Sequence, residues 1–184
     1  MNKIIVRCDD WDARIDLATV KSLHGEFVKR GIPMTIAVNN VIGHRIGFDQ
    51  NVLDYMNKET DPASWDIQLH GFEHSKIWAM KYADVYRDVF ANLMMTKRDF
   101  IHSNPTMYYP AWNEKCEILE QVCDELGLTI GISSRTTHEF LTWNNIQPVD
   151  LYFWHWWTPD DRREIPAVLD KLVQTNLLLK VKPE

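Results

Sequence analysis

The chain has 184 residues, of which 45% are hydrophobic and 25% charged, and a formal net charge of -6 at pH 7. This is the size of one domain around one core, and the composition of an ordinary soluble globular protein rather than a disordered or fibrous one. The negative charge and the scatter of Lys and Arg among acids argue against a nucleic-acid partner. The N-terminal MNKIIVRCDD is too briefly apolar for a signal peptide or membrane span, which predicts a cytoplasmic protein with no membrane partner.

Strand-like and helix-like segments alternate along the chain. KIIVRC (3–8) reads as a strand that stops at two aspartates. The stretch that follows has apolar residues at helical spacing through Leu17, Val20, Leu23, Phe27 and Val28, and closes on Gly31. PMTIAVN (33–39) is a second strand and FDQNVLDYMNKE a second helix. WDIQLH (65–70) is a third strand, before a long helix from about Tyr82 to Ile101. TMYYP (106–110) and LTIGIS (128–133) read as strands flanking an amphipathic helix in EKCEILEQVCDELG. DLYFWHWW (150–157), a helix over about 162–176 and a terminal LLLKVK strand complete the pattern. Strand followed by helix, repeated, predicts an α/β fold with a mainly parallel sheet, open or closed into a barrel. The three cysteines, Cys8, Cys116 and Cys123, are odd in number and lack metal-site spacing, so thiols are expected rather than a disulfide framework.

In such folds the chemistry gathers where strands end and βα loops begin. Asp9 and Asp10 close the first strand. They can serve one site only if the backbone leaves strand geometry, because neighbours on a strand face opposite ways. Otherwise they join Asp12 as an acidic cluster before a helix. His70 and His74 follow the third strand, with Gly71 between them to permit a bend. One carboxylate and two imidazoles suit zinc or a related divalent ion and leave coordination positions open, as a catalytic site requires. The second aspartate could then act as base toward bound water, and His155, in LYFWHWW, as acid. YYPAWN (108–113) is irregular, with Asn113 placed to cap the helix after it.

These pieces, in this order, resemble the polysaccharide deacetylases, the carbohydrate esterases of family four, whose domain is a distorted (β/α) barrel. The acidic pair of their first motif matches Asp9 and Asp10 in RCDDWD. Their H-[ST]-x-x-H motif matches His70 and His74 in HGFEH, their third motif the proline and aromatic of YYPAWN, and their last LYFWH. The resemblance implies that Asp10, His70 and His74 bind a divalent metal, most often zinc, that Asp9 is the base, and that His155 protonates the leaving amine. It places a backbone oxyanion donor near Trp112, and with it a substrate or oxyanion region comprising Tyr109, Pro110, Asn113 and Trp11. The implied substrate is a carbohydrate or a small acylated molecule, with N-acetyl the first choice of acyl group. Three features depart from the family pattern. Trp11 stands where the family has glycine, Tyr108 or Tyr109 where it has an arginine that steadies the catalytic aspartate, and the acidic fourth motif has no match. Arg135 or Glu139 is the expected substitute.

HGFEH also spells H-x-x-E-H, a zinc-peptidase motif in which Glu73 would be the base, but that motif requires a helix through 70–74. An iron oxygenase site uses the same ligand types on a different, all-β architecture. A relative that binds metal or sugar without turnover is the non-enzymatic alternative.

Overall fold

The structure, a computed structural model, describes residues 3–133, 135–142 and 149–174. In chain order it contains β1 (Lys3–Trp11), α1 (Leu17–Val28), β2 (Met34–Val38), β3 (Val41–Ile42), β4 (Arg45–Ile46) and α2 (Gln50–Asp54), which runs into a π-helical turn at Tyr55–Glu59. Then come β5 (Trp65–Leu69), α3 (Tyr82–Asp99), β6 (Met107–Tyr108), α4 (Glu117–Glu125) and β7 (Thr129–Ile130). The last elements are β8 (Arg135–Thr136), α5 (Thr137–Thr142), β9 (Val149–His155) and α6 (Pro159–Gln174).

Seven strands form one sheet in the order β7-β6-β5-β2-β1-β9-β8, with every neighbouring pair parallel. It curls into the half-barrel of a distorted (β/α) barrel. β2 lies at its centre and is buried at all five positions, as a strand covered on both faces must be. Helix α1 shows how the layer outside is built. Asp16 caps it by accepting from the Thr19 N–H at 2.8 Å, and Val20, Leu23 and Phe27 recur on one face and are buried. Gly31, at φ +64°, ends the segment in the left-handed conformation that glycine adopts at least cost.

Two apolar clusters result, one between β1, β2, α1 and α6, the other under α3 and α4. Trp11 belongs to the first. It is 0% exposed, packed edge-on to Trp65 with ring centroids 6.3 Å apart. The expectation that Trp11 contacts substrate is therefore corrected: its indole is core, because the chain turns at Asp10 and sends the next side chain inward. Asn113 is not the cap of α4, which starts at Glu117 with Cys116 in the capping position. The antiparallel β3–β4 pair, β8 and α5 add elements to the predicted set, and the terminal LLLKVK strand lies outside the described residues. Among the described residues, no helix is long and apolar enough to cross a membrane.

Candidate active site

β1 pairs in register with β9, so that Asp9 lies beside His155. On its other side the pairing with β2 shifts between Cys8 and Trp11, and Asp10 at that irregularity has φ +56°. The left-handed residue breaks the alternation of a strand and lets Asp9 and Asp10 serve one site, which a regular β1 could not do. His74, Trp112 and Asn113 have φ of +55°, +65° and +55°, and together with Asp10 they are the non-glycine residues with positive φ among the described residues. Asp10 lies at the end of β1 and the other three in the segments after β5 and β6, all around this one site. A left-handed non-glycine residue costs on the order of 1 kcal/mol or more, and such strain collects where structure around it over-determines it.

β5 ends by delivering His70 into the site. Gly71 then turns at φ +97°, where an added Cβ would lie 3.1 Å from the Tyr108 hydroxyl and 3.3 Å from an Asp88 oxygen. The bend is fastened from two sides. The Asn39 side chain, just after β2, donates to the carbonyls of His70 (2.9 Å) and Gly71 (3.0 Å). From α3, Asn92 accepts from the Gly71 N–H at 3.0 Å and Asp88 from the Phe72 N–H at 3.0 Å. Residues 70–74 form no helix and Glu73 is exposed, so the peptidase geometry does not occur.

The turn brings His74 back to His70, with ring centroids 5.1 Å apart. Asp10 Oδ1 lies 3.4 Å from His70 Nε2 and 3.1 Å from His74 Nε2, and three ligand atoms from this trio fall within 4.8 Å of one another. Ligands at about 2.1 Å from a tetrahedral zinc ion stand about 3.4 Å apart, so the spacing fits a shared ion. His70 Nδ1 is 2.7 Å from the Tyr109 carbonyl, which can only accept, so Nδ1 carries a proton; Nε2 is left on the side of Asp10, an N–H donor when the ring is charged and a lone pair for an ion when it is neutral. Burial opposes ionisation of Asp10, but hydrogen bonds from the two imidazoles and their charge outweigh it and hold the carboxyl well below the usual carboxylate range. Burial likewise opposes the charged form of His70, yet the carboxylates of Asp9 and Asp10 prevail and raise its basicity.

Asp9 is buried and gripped by Arg7. The guanidinium donates to both carboxylate oxygens, Nε to Oδ1 at 2.6 Å and Nη2 to Oδ2 at 2.9 Å. Nη2 also donates to Asn113 Oδ1 at 2.6 Å, and the guanidinium lies 4.3 Å from the centre of the Tyr109 ring. The expected substitute for the missing motif residues is Arg135 or Glu139; the guanidinium that holds Asp9 comes instead from Arg7, while Glu139 accepts from the Thr136 N–H in the first turn of α5. Tyr109 and Pro110 are buried and act from behind the site, as a carbonyl for His70 and a platform for Arg7. The Tyr109 ring fills space that only a glycine leaves: a Cβ on Gly131 would lie 2.2 Å from it.

His155 faces Asp10, with Nε2 3.9 Å from Oδ2, and its Nδ1 lies 3.7 Å from Asp161 Oδ2, which also accepts the His155 backbone N–H at 2.8 Å. Asp161 sits in the first turn of α6, where the helix N-terminus favours a negative charge. Two half-exposed indoles flank the trio: Trp112, 57% exposed, 5.4 Å from His74, and Trp157, 48% exposed, 5.1 Å from His155. A cavity of about 250 Å³ opens beside them, lined by Asp10, Asn39, Ile42, His74 and Trp157 with Asp12 and Arg14.

The sequence reading leaves out Arg7 and Asp161, and of the tryptophans near the site residues it favours Trp112 over Trp157. Arg7 carried a signal, being a lone charge in an apolar strand two residues from Asp9 and hence on the same face. Trp157 lies in the turn after the carboxyl end of β9, two residues from His155.

No protein-family model matches the chain. No curated protein matches it either. Solved structures do. A family 4 carbohydrate esterase from Streptomyces lividans, in complex with acetate, superposes with a TM-score of 0.70 at 13% identity, over 95% of this chain and 89% of that one. A polysaccharide deacetylase from Bacillus cereus gives 0.75 at 14% identity, over 100% and 93%. A family 4 pseudoenzyme from Bacillus anthracis gives 0.74 at 9% identity, over 95% of this chain and 61% of that one, and a mutant of it has restored enzymatic activity. With identities this low the likeness is one of architecture: the chain has the fold of the family 4 carbohydrate esterases, the polysaccharide deacetylases.

Proposed function

We propose that the chain is a metal-dependent hydrolase that removes an acyl group, N-acetyl foremost, from a carbohydrate or a small amide-bearing molecule. The observation that carries this reading is the convergence of Asp10, His70 and His74 at metal-ligand spacing, with Asp9 and His155 on adjacent strands at its side. Asp10, His70 and His74 would hold the ion, and their oxygen and nitrogen donors suit zinc. Such an ion supplies Lewis-acid chemistry, making water more acidic and drawing electrons from an acyl oxygen.

In this reading Asp9 takes the proton of the attacking water, and Arg7, donating to both of its oxygens, keeps the carboxylate aimed. His155 gives a proton to the departing amine nitrogen, with Asp161 beside its Nδ1 on the far side of the ring. The Trp112 N–H, presented by the left-handed turn after Pro110, serves the developing oxyanion. The rings of Trp112 and Trp157 offer apolar faces for a sugar ring. The carbohydrate class is carried over from the names of the Streptomyces and Bacillus cereus proteins.

The test is a panel of N-acetyl and O-acetyl sugars, their oligomers and small formamides, incubated with zinc- or cobalt-loaded protein and scored for released acid. Wild type should release acetate from at least one N-acetyl sugar. Asp9→Asn should keep the metal and lose at least about 10²-fold in turnover, His70→Ala should lose both, and Glu73→Gln should lose neither. The second reading, a binder without turnover, draws on the Bacillus anthracis pseudoenzyme of the same fold. Sugar binding with no acid released from any substrate would establish it.

A further inference from the structure

The sequence His155-Trp156-Trp157 places two indoles against Asp10, and each donates to a different part of it. Trp156 Nε1 donates to the Asp10 backbone carbonyl at 2.6 Å, and Trp157 Nε1 to the carboxylate Oδ2 at 3.1 Å. The first contact fastens the backbone that holds Asp10 at φ +56°. The second fixes the rotation of its carboxylate, so that the two oxygens have different partners: Oδ1 stands between the His70 and His74 nitrogens at 3.4 and 3.1 Å, while Oδ2 is turned to the indole.

A free aspartate beside a divalent ion can offer one oxygen or both, and offering both occupies a position that water or substrate needs. An N–H donor on the outer oxygen opposes that rotation, because Oδ2 would give up a charge-assisted hydrogen bond to reach the ion. We propose that Trp157 is a positioning residue that holds Asp10 to a single ligating oxygen and so keeps a coordination position open at the metal. This rests on the metal-site reading given above. It assigns to one indole two tasks, a wall of the cleft and the setting of the denticity of a ligand.

The test uses full-length protein loaded with Co²⁺, whose visible absorption reports coordination number without any turnover. Trp157→Phe keeps an aromatic wall and removes the N–H together with the five-membered half of the indole. Its Co²⁺ absorption should be weaker and lie at shorter wavelength than wild type, as an added ligand oxygen requires. Turnover in the Co²⁺ form should fall by about tenfold or more, the usual scale for loss of an outer-sphere partner. Trp157 is half exposed, so the chelator-treated variant should melt at the wild-type temperature, which separates the effect from misfolding. A Trp157→Phe spectrum that superimposes on wild type overturns the proposal and leaves the metal site standing. A wild-type chain that gives no cobalt spectrum overturns both.

Discussion

Arg7 and Asp9 lie two apart on β1 and therefore on one face, and their forked contact is buried, with Arg7 fully enclosed. Two charges removed from water are worth little as a pair, but removing one partner strands the other, at a cost of about 3–5 kcal/mol. Arg7→Leu should therefore destabilise the fold by that order and abolish turnover. Adding Asp9→Asn to it should restore a large part of the stability and none of the activity, as read from denaturant midpoints and acid release. The cycle distinguishes a guanidinium that aims a base from one that merely fills space, since a packing role would leave the double variant as unstable as the single one. The two aspartates were readable in RCDDWD because they end an apolar strand. Their joint service to one site was not, since it depends on a single left-handed residue that neither periodicity nor composition reveals.

Among the elements, those with a long apolar period were plain in the sequence and the short ones were not. α1, α3, α4 and the first three strands of the main sheet came out near their expected bounds. The strands expected over 106–110 and 128–133 shrink to two residues each, and β8 at Arg135–Thr136 is no longer. Two residues cannot show an alternation. The same limit hid the β3–β4 pair. His24 illustrates how an element-level setting shapes a side chain. It projects from α1 between the Tyr55 hydroxyl at 3.1 Å and Ser64 Oγ at 2.8 Å, with its ring stacked 4.0 Å from Trp65. Burial pushes its pKa down to about 4 from 6.5, against a smaller opposing pull from Ser64. The unfolded chain thus binds a proton near pH 6.5 that the folded chain refuses until about pH 4. Stability should fall as pH drops through that window, by at most about 3 kcal/mol from this group. The unfolding free energy of wild type minus that of His24→Phe, from urea titrations, should fall by up to that amount between pH 7 and pH 4; a constant difference would sink the account.

For the molecule as a whole, an ion that binds the folded chain and not the unfolded one adds stability by mass action, about 2.7 kcal/mol at one hundred times its Kd. Zn²⁺ should raise the melting temperature of wild type and of Glu73→Gln, and a chelator should reverse it. His70→Ala should show no response. The parallel architecture was readable from strand–helix alternation alone, but the sheet order was not. It runs outward from β2 and β1 in both directions, and the only long neighbour of β1 on one side is β9, drawn from the far end of the described chain. The consequence is a division of labour along the polypeptide. The three proposed metal ligands lie within the first 74 residues, on β1 and the loop after β5, whereas the proposed acid and the indole proposed to orient Asp10 arrive together at the end of β9 and in the turn after it. On the proposed function, a chain whose β9 loosens its hold on β1 would forfeit proton transfer and the indole hold on Asp10 while keeping all three ligand residues. Descent from catalyst to mere binder would thus require one seam to weaken and no ligand to change.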